Sequence, residues 1–169
     1  MIILKYIIIC LVFFICLLIG NIISKRYTLR VKELKDFENA LNIIESKIKF
    51  TYEPIPEIFI QTSKLLSENI ANIFINASSY MKDMSSEKAW DKSIEKSNTY
   101  LNKEDIENIK SFGKMLGKTD KDGQVSHIEL TKTFVKMQMK KAKEEEEKNA
   151  KMCKTLGAIF GLVIVIILI

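Results

Sequence analysis

Val31-Lys32-Glu33-Leu34-Lys35-Asp36-Phe37-Glu38-Asn39-Ala40-Leu41-Asn42-Ile43-Ile44-Glu45-Ser46-Lys47-Ile48 decides the fold. Val31, Leu34, Phe37, Leu41, Ile44 and Ile48 recur at steps of three and four, with Lys and Glu between them, so one apolar stripe runs down one side of a helix. No glycine lies between Asn21 and Phe112, and both prolines, Pro54 and Pro56, stand in one short stretch. A sheet of this size needs more turn residues and alternating Val, Ile and Thr. The middle of the chain is instead rich in Lys, Glu, Leu, Met and Ala, which favour helix. The reading is all-α, a bundle of about six helices.

Working outward, the same helix runs back into Tyr6–Ser24, nineteen uncharged residues. At about 1.5 Å per residue they reach roughly 28 Å, the thickness of a hydrocarbon core. A signal peptide is the competing reading, but the run ends in Asn21-Ile22-Ile23-Ser24-Lys25 without the small-residue pair that cleavage requires. The chain closes on a second apolar run, Thr155–Ile169, which is apolar all round and draws on Met152 and Cys153, with Lys151 and Lys154 snorkelling. Of 26 basic and 21 acidic residues, all but Lys5 fall between Lys25 and Lys154. Lys25, Arg26, Arg30, Lys32 and Lys35 follow the first run, and Lys143, Lys148, Lys151 and Lys154 precede the second. The positive-inside rule therefore puts the middle in the cytoplasm. Expected domains are a span over 1–24, a cytoplasmic helical domain over 25–154, and a span over 155–169.

Within the middle, Pro54 and Pro56 stop the first helix. Helices are expected over Pro56–Leu66, Ile70–Met84 and Glu87–Lys96, with Ser67 and Ser86 as caps. Asn102 caps a helix that buries Ile106, Ile109, Phe112 and Leu116 and ends at Gly117. A last helix starts near Asp122 or Gly123, carries Ile128, Phe134, Val135, Met137 and Met139, and becomes a charged stalk near 140–151. In it Lys140 and Glu144, Lys143 and Glu147, Glu144 and Lys148, and Glu147 and Lys151 stand four apart. The stalk reads as a solvated helix, with docking of a partner as the alternative.

The net charge of +5 is small and mixed with acids, unlike the basic stripe of a nucleic-acid binder. No nucleic acid is expected. Cys10, Cys16 and Cys153 have no metal or disulfide spacing, and His127 is the single histidine, so no metal and no cofactor are expected. Gly117-Lys118-Thr119 echoes a phosphate loop, but position 112 is Phe112 where the first glycine belongs, and a helix precedes it. Asp120-Lys121-Asp122-Gly123 places its glycine too early for a calcium loop, with Thr131 in place of the terminal Glu. His127 beside Ser126 points about 100° away from it on a helix, which leaves no nucleophile pair. Catalytic residues: none, and the chain is read as no enzyme. Trp90 reads as core, with an interaction hot spot as the alternative.

Phe112-Gly113-Lys114-Met115-Leu116-Gly117-Lys118-Thr119-Asp120 has the form F-G-x-x-L-G-x-x-D. It is followed by Gln124, Ile128 and Leu130, the Glu-rich stalk, and Lys154-Thr155-Leu156-Gly157. With Ala40-Leu41, Ile44, Glu45, Ile48, the turn Pro54–Glu57, and Ala89-Trp90 with Ile94, this series resembles the stage III sporulation protein AB family over nearly the whole chain. Ile55 and Pro56 depart from the family's T-P-L-like run. The resemblance implies a membrane component of the channel-like complex between mother cell and forespore, located in the mother-cell membrane. Its partners there are an ATPase and ring or pore subunits. It also implies a helical domain similar to that of the F-type platform protein of type II secretion. The family motif residues are Trp90, Phe112, Gly113, Leu116, Gly117, Asp120 and Gln124. Homo-oligomerisation stays open, and a membrane-anchored regulator or receptor holding a small ligand between helices is the alternative function.

Overall fold

The computed structural model describes the backbone of residues 2–118 and 120–168 and the side chains of 7–118 and 120–167. Thr119 of the rejected phosphate loop, Ile169 at the end of the second apolar run, Met1 and the side chain of Lys5 lie outside the described residues. The described chain is helical: α1 (Ile2–Phe50), α2 (Ile55–Ser63), α3 (Glu68–Tyr80), α4 (Ser86–Glu95), α5 (Lys103–Gly113), α6 (Lys121–Glu145), a π-helical turn (Glu146–Ala150) and α7 (Lys151–Leu168). The contacts divide it into two compact units. One holds residues up to Val31 with those from Lys141 onward, and the other is Lys32–Lys140.

α1 is one helix from the apolar run through the Leu34–Ile48 stripe, as the sequence predicts. Leu34, Phe37, Leu41, Ile44 and Ile48 are buried, and Val31 is half-buried. Its end is marked by Thr51, whose Oγ1 donates to the Lys47 carbonyl at 2.8 Å, before Pro54 turns the chain at ψ 144°.

Pro54 is the N-cap, so α2 opens one residue before Pro56 and stops at Ser63 rather than Leu66. α3 spans Glu68–Tyr80 instead of reaching Met84, and Ser85 rather than Ser86 holds the N-cap of α4. Ser67 stands at the N-cap of α3 without a side-chain cap bond. Its backbone N–H instead donates to Asp36 of α1 at 3.3 Å. Asn102 caps α5 as expected and forms a full box: Asp105 N–H donates to Asn102 Oδ1 at 2.8 Å, and Asn102 N–H donates to Asp105 Oδ2 at 2.9 Å.

The unit Lys32–Lys140 therefore contains six helices, counting the parts of α1 and α6 inside it, and α2, α3, α4 and α5 pack in sequence. α6 buries Val125, Ile128, Thr131, Val135 and Gln138, while Phe134 and Met137 lie on its exposed side. Lys132 reaches Glu45 at 2.6 Å and Lys136 reaches Glu38 at 3.7 Å, which sets α6 antiparallel to α1.

The other unit is a two-helix hairpin. Both apolar helices are long and apolar enough to cross a membrane. They meet on glycine. A Cβ on Gly20 would stand 2.8 Å from the Cys153 carbonyl oxygen, and one on Gly157 would stand 2.9 Å from that of Cys16. Gly161 lies against the Phe13 ring. Small residues four apart let two backbones approach this closely, which is how apolar helices associate where lipid removes the hydrophobic drive. Arg30, 6% exposed, binds Glu145 at 2.5 Å in the same unit. Among the described residues, none of the four stalk pairs expected from the sequence forms an ion pair. Three of them span the π-turn, where residues four apart no longer stack.

Candidate functional site

Five helices each send one ring to a common centre: Phe37 from α1, Phe59 from α2, Phe74 from α3, Trp90 from α4 and Phe112 from α5. All are at most 1% exposed. Trp90 lies 5.2 to 6.1 Å, ring centroid to centroid, from the other four. Edge-on and tilted geometries dominate around it, as the quadrupoles of packed rings prefer. Its indole N–H donates to the Ile109 carbonyl at 2.8 Å, so its one polar group is satisfied in the core.

The motif beginning at Phe112 closes this centre. A Cβ on Gly113 would lie 2.3 Å from Trp90 Cδ1 and 2.9 Å from its Cβ, so the α5 backbone rests directly on the indole. α5 ends at Gly113 rather than at Gly117. A run of turns carries the chain through Leu116, 4% exposed, to Gly117 at φ +72°, a left-handed conformation costly for any residue with a Cβ. Lys118 pairs with Glu87 of α4. Asp120 then caps α6: its Oδ1 accepts the Gly123 N–H at 3.0 Å, and its carbonyl accepts the Gln124 N–H at 3.0 Å. His127 Nε2 lies 2.9 Å from the Ser111 carbonyl oxygen and ties α6 to α5. Gln124 lines, with Phe112, Met115, Leu116, His127 and Ile128, a cavity of about 10 Å³, room for no more than a water.

The structure thus gathers the sequence-predicted residues into one construction: Trp90, Phe112, Gly113 and Leu116 at the core, and Gly117, Asp120 and Gln124 in the exit that starts α6. Groups of three or more side chains able to hold a metal are absent among the described residues.

Sequence reasoning missed Glu33. It is 3% exposed on α1, takes the Asn69 Nδ2 amide of α3 at 2.7 Å on Oε1, and takes the Tyr100 backbone N–H at 2.7 Å on Oε2. Burial pushes its carboxyl above the ordinary range, the two hydrogen bonds pull it back, and Asp36 pushes it up further. Its signal in the sequence was slight, a Glu one residue from the apolar stripe. Glu45 shows the reverse: hydrogen bonds from Lys132 and Lys49 hold its carboxyl below the usual range. Outside the core, an open groove of about 470 Å³ runs between α2 and α3, lined by Pro56, Ile60, Ile75 and Ser78 among others.

A ring-centred all-α bundle joined to a hairpin of two membrane-length apolar helices is the class of protein that this geometry defines. The chain belongs to the stage III sporulation protein AB family, whose model it matches over residues 5–169. Stage III sporulation protein AB of Bacillus subtilis (strain 168) is 30% identical over 154 residues, covering 88% of this chain and 90% of its own length. A solved structure of stage III sporulation protein AB superposes with a TM-score of 0.65 at 25% identity, covering 71% of this chain and 98% of the other. These relatives carry the name of a sporulation protein and not of an enzyme.

Proposed function

We propose that this chain is a non-catalytic platform subunit of a sporulation complex. The two apolar helices anchor it in the mother-cell membrane that faces the forespore, and the helical domain 25–154 lies in the cytoplasm. There it presents its surfaces to a partner ATPase and to ring or channel subunits of the same complex. The observation that carries the reading is the closed interior. Five rings from five helices fill the centre, and the cavity at the family motif has room for about one water, so the domain offers surfaces rather than a substrate chamber. Family membership supports the sporulation setting, and the basic residues beside both apolar runs support the cytoplasmic placement.

Chemical crosslinking of the tagged full chain in sporulating cells tests the role, with an ATPase and membrane subunits expected among the captured proteins. A chain that instead purifies alone with a small molecule in the α2–α3 groove supports the receptor reading. Topology is tested by reporters fused near Met84, expected to be active only on the cytoplasmic side.

A further inference from the structure

The π-turn Glu146–Ala150 sits inside an otherwise unbroken helical path from Lys121 to Leu168. A turn closed by i→i+5 bonds holds one residue more than an α-turn closed by i→i+4. What that residue does follows from the two ends of the path. Before the turn, Ala142 is 1% exposed and Glu145, three residues on, is bonded to Arg30 of α1. After it, Gly157 rests on Gly20 and Gly161 on Phe13 and Cys16, again of α1. Gly161 follows Ala142 by nineteen residues. In an uninterrupted α-helix that is about 5.3 turns, which sets the two positions roughly 100° apart. Storing one residue in the wide turn leaves about eighteen, or five full turns, and brings both onto one line. α1 runs opposite as plain α-helix with no wide turn of its own.

We infer that the π-turn is a register element: it holds the one surplus residue that lets Glu145 and Gly157 contact the same partner helix. The chain between them is one residue too long for straight α-helix. Shortening it by one converts the wide turn to α-helix and rotates neither end. Lengthening it by one leaves the extra residue unabsorbed and swings α7 by about 100°, which takes Gly157 off Gly20.

The test is a distance measured in the full chain. Cys10, Cys16 and Cys153 are replaced by Ala, and spin labels are attached at Lys25→Cys and Lys154→Cys, both exposed positions in the hairpin. Three further variants are prepared in phospholipid nanodiscs and in detergent micelles: deletion of Lys148, insertion of one Ala after Lys148, and deletion of Ile22 from α1. The label–label distance distribution of the Lys148 deletion is expected to match that of the parent. The insertion and the Ile22 deletion are expected to move or broaden it. A Lys148 deletion that displaces the distribution as far as the insertion does overturns the inference, and so does an insertion that displaces nothing. If the insertion variant does not accumulate, the Lys148 deletion decides alone: unchanged supports, displaced overturns. The distance is internal to one hairpin, so the outcome is independent of the platform reading.

Discussion

The bundle and the hairpin solve the same problem, holding helices together, with opposite material. At the bundle centre large rings converge, one from each of five helices, and exposure falls to 1% or below. In the hairpin the contact is made by what is missing: Gly20, Gly157 and Gly161 offer no side chain, so Gly20 and Gly157 meet backbone to backbone and Gly161 receives the Phe13 ring. In water, apolar area removed from solvent is the drive, at about 25 cal/mol per Å², so large side chains at the centre are rewarded. Among lipid tails that drive is absent and only close contact remains, which small residues permit. Gly113 shows that the bundle uses the second device once, where the α5 backbone must lie flat on Trp90.

The sharpest break of this comparison is at Phe112. Replacing it with Ala removes a buried ring from the shared centre and should cost about 3 to 5 kcal/mol. Trp90 is the protein's single tryptophan, so its fluorescence during denaturation reports the bundle alone. An unchanged midpoint in Phe112→Ala would mean that the ring is a contact residue and not a keystone of the core.

Gly113→Ala and Gly157→Leu then set the two regions side by side. In the bundle the added methyl meets the Trp90 ring, which is 0% exposed and has no free space to enter, so about 1 to 3 kcal/mol of overpacking is expected in the same fluorescence assay. In the hairpin, leucine at position 157 would meet the Cys16 carbonyl and Gly20 Cα. Helix separation should grow by several ångströms while the Trp90 signal stays put. Spin labels at Lys25→Cys and Lys154→Cys read the first effect. A shifted Trp90 midpoint in Gly157→Leu would show that the two regions do not stand on separate contacts.

Gly117→Ala is smaller and of another kind. The nearest atom to a new Cβ there is Ser86 Oγ at 3.7 Å, so space is available and only the left-handed backbone resists. About 1 to 2 kcal/mol is expected. A loss comparable to that of Phe112→Ala would point to a packing role instead.

Much of this was legible in advance, for identifiable reasons. The stripe Leu34 to Ile48 predicted both α1 and its buried face, because period-3.6 spacing encodes burial locally. Asn102 predicted the N-cap of α5, because a cap closes within three residues; the reciprocal bond from Asp105 came with the structure. The convergence of five rings was not legible, since periodicity names a face but not the face it meets. Phe134 and Met137 show the same limit: the sequence places them on the last helix without choosing a side, and they lie on its exposed one. Arg30 and Glu145 are separated by 115 positions, and the π-turn is dictated by contacts on either side of it rather than by its own residues. The need for glycine at 113 became visible only once Trp90 lay across it.

The smallest effect belongs to Glu33, and its sign is the informative part. Burial raises its folded-state pKa above the ordinary value despite the hydrogen bonds from Asn69 and Tyr100. A raised carboxyl binds its proton more tightly in the folded chain than in the unfolded one. The associated stability is therefore fully present below the ordinary carboxylate range and is lost as pH rises through the raised value. Glu33→Gln cannot ionise. Its carbonyl can still accept from Tyr100 or Asn69, at the cost of one rearranged bond, so a loss of about 1 kcal/mol or less is expected in acid. From there the variant should gain on the parent as pH rises toward neutrality, because only the parent pays for a buried charge. Urea midpoints followed by Trp90 fluorescence between pH 4 and 8 measure the difference directly. Glu45→Gln is the control of opposite sign: Lys132 and Lys49 lower the Glu45 pKa, so its stabilisation is present above the ordinary range and fades as pH falls. A variant whose stability relative to the parent stays flat with pH, or falls further behind as pH rises, would show that the hydrogen bonds from α3 and from Tyr100 match or outweigh burial and hold Glu33 as an anion.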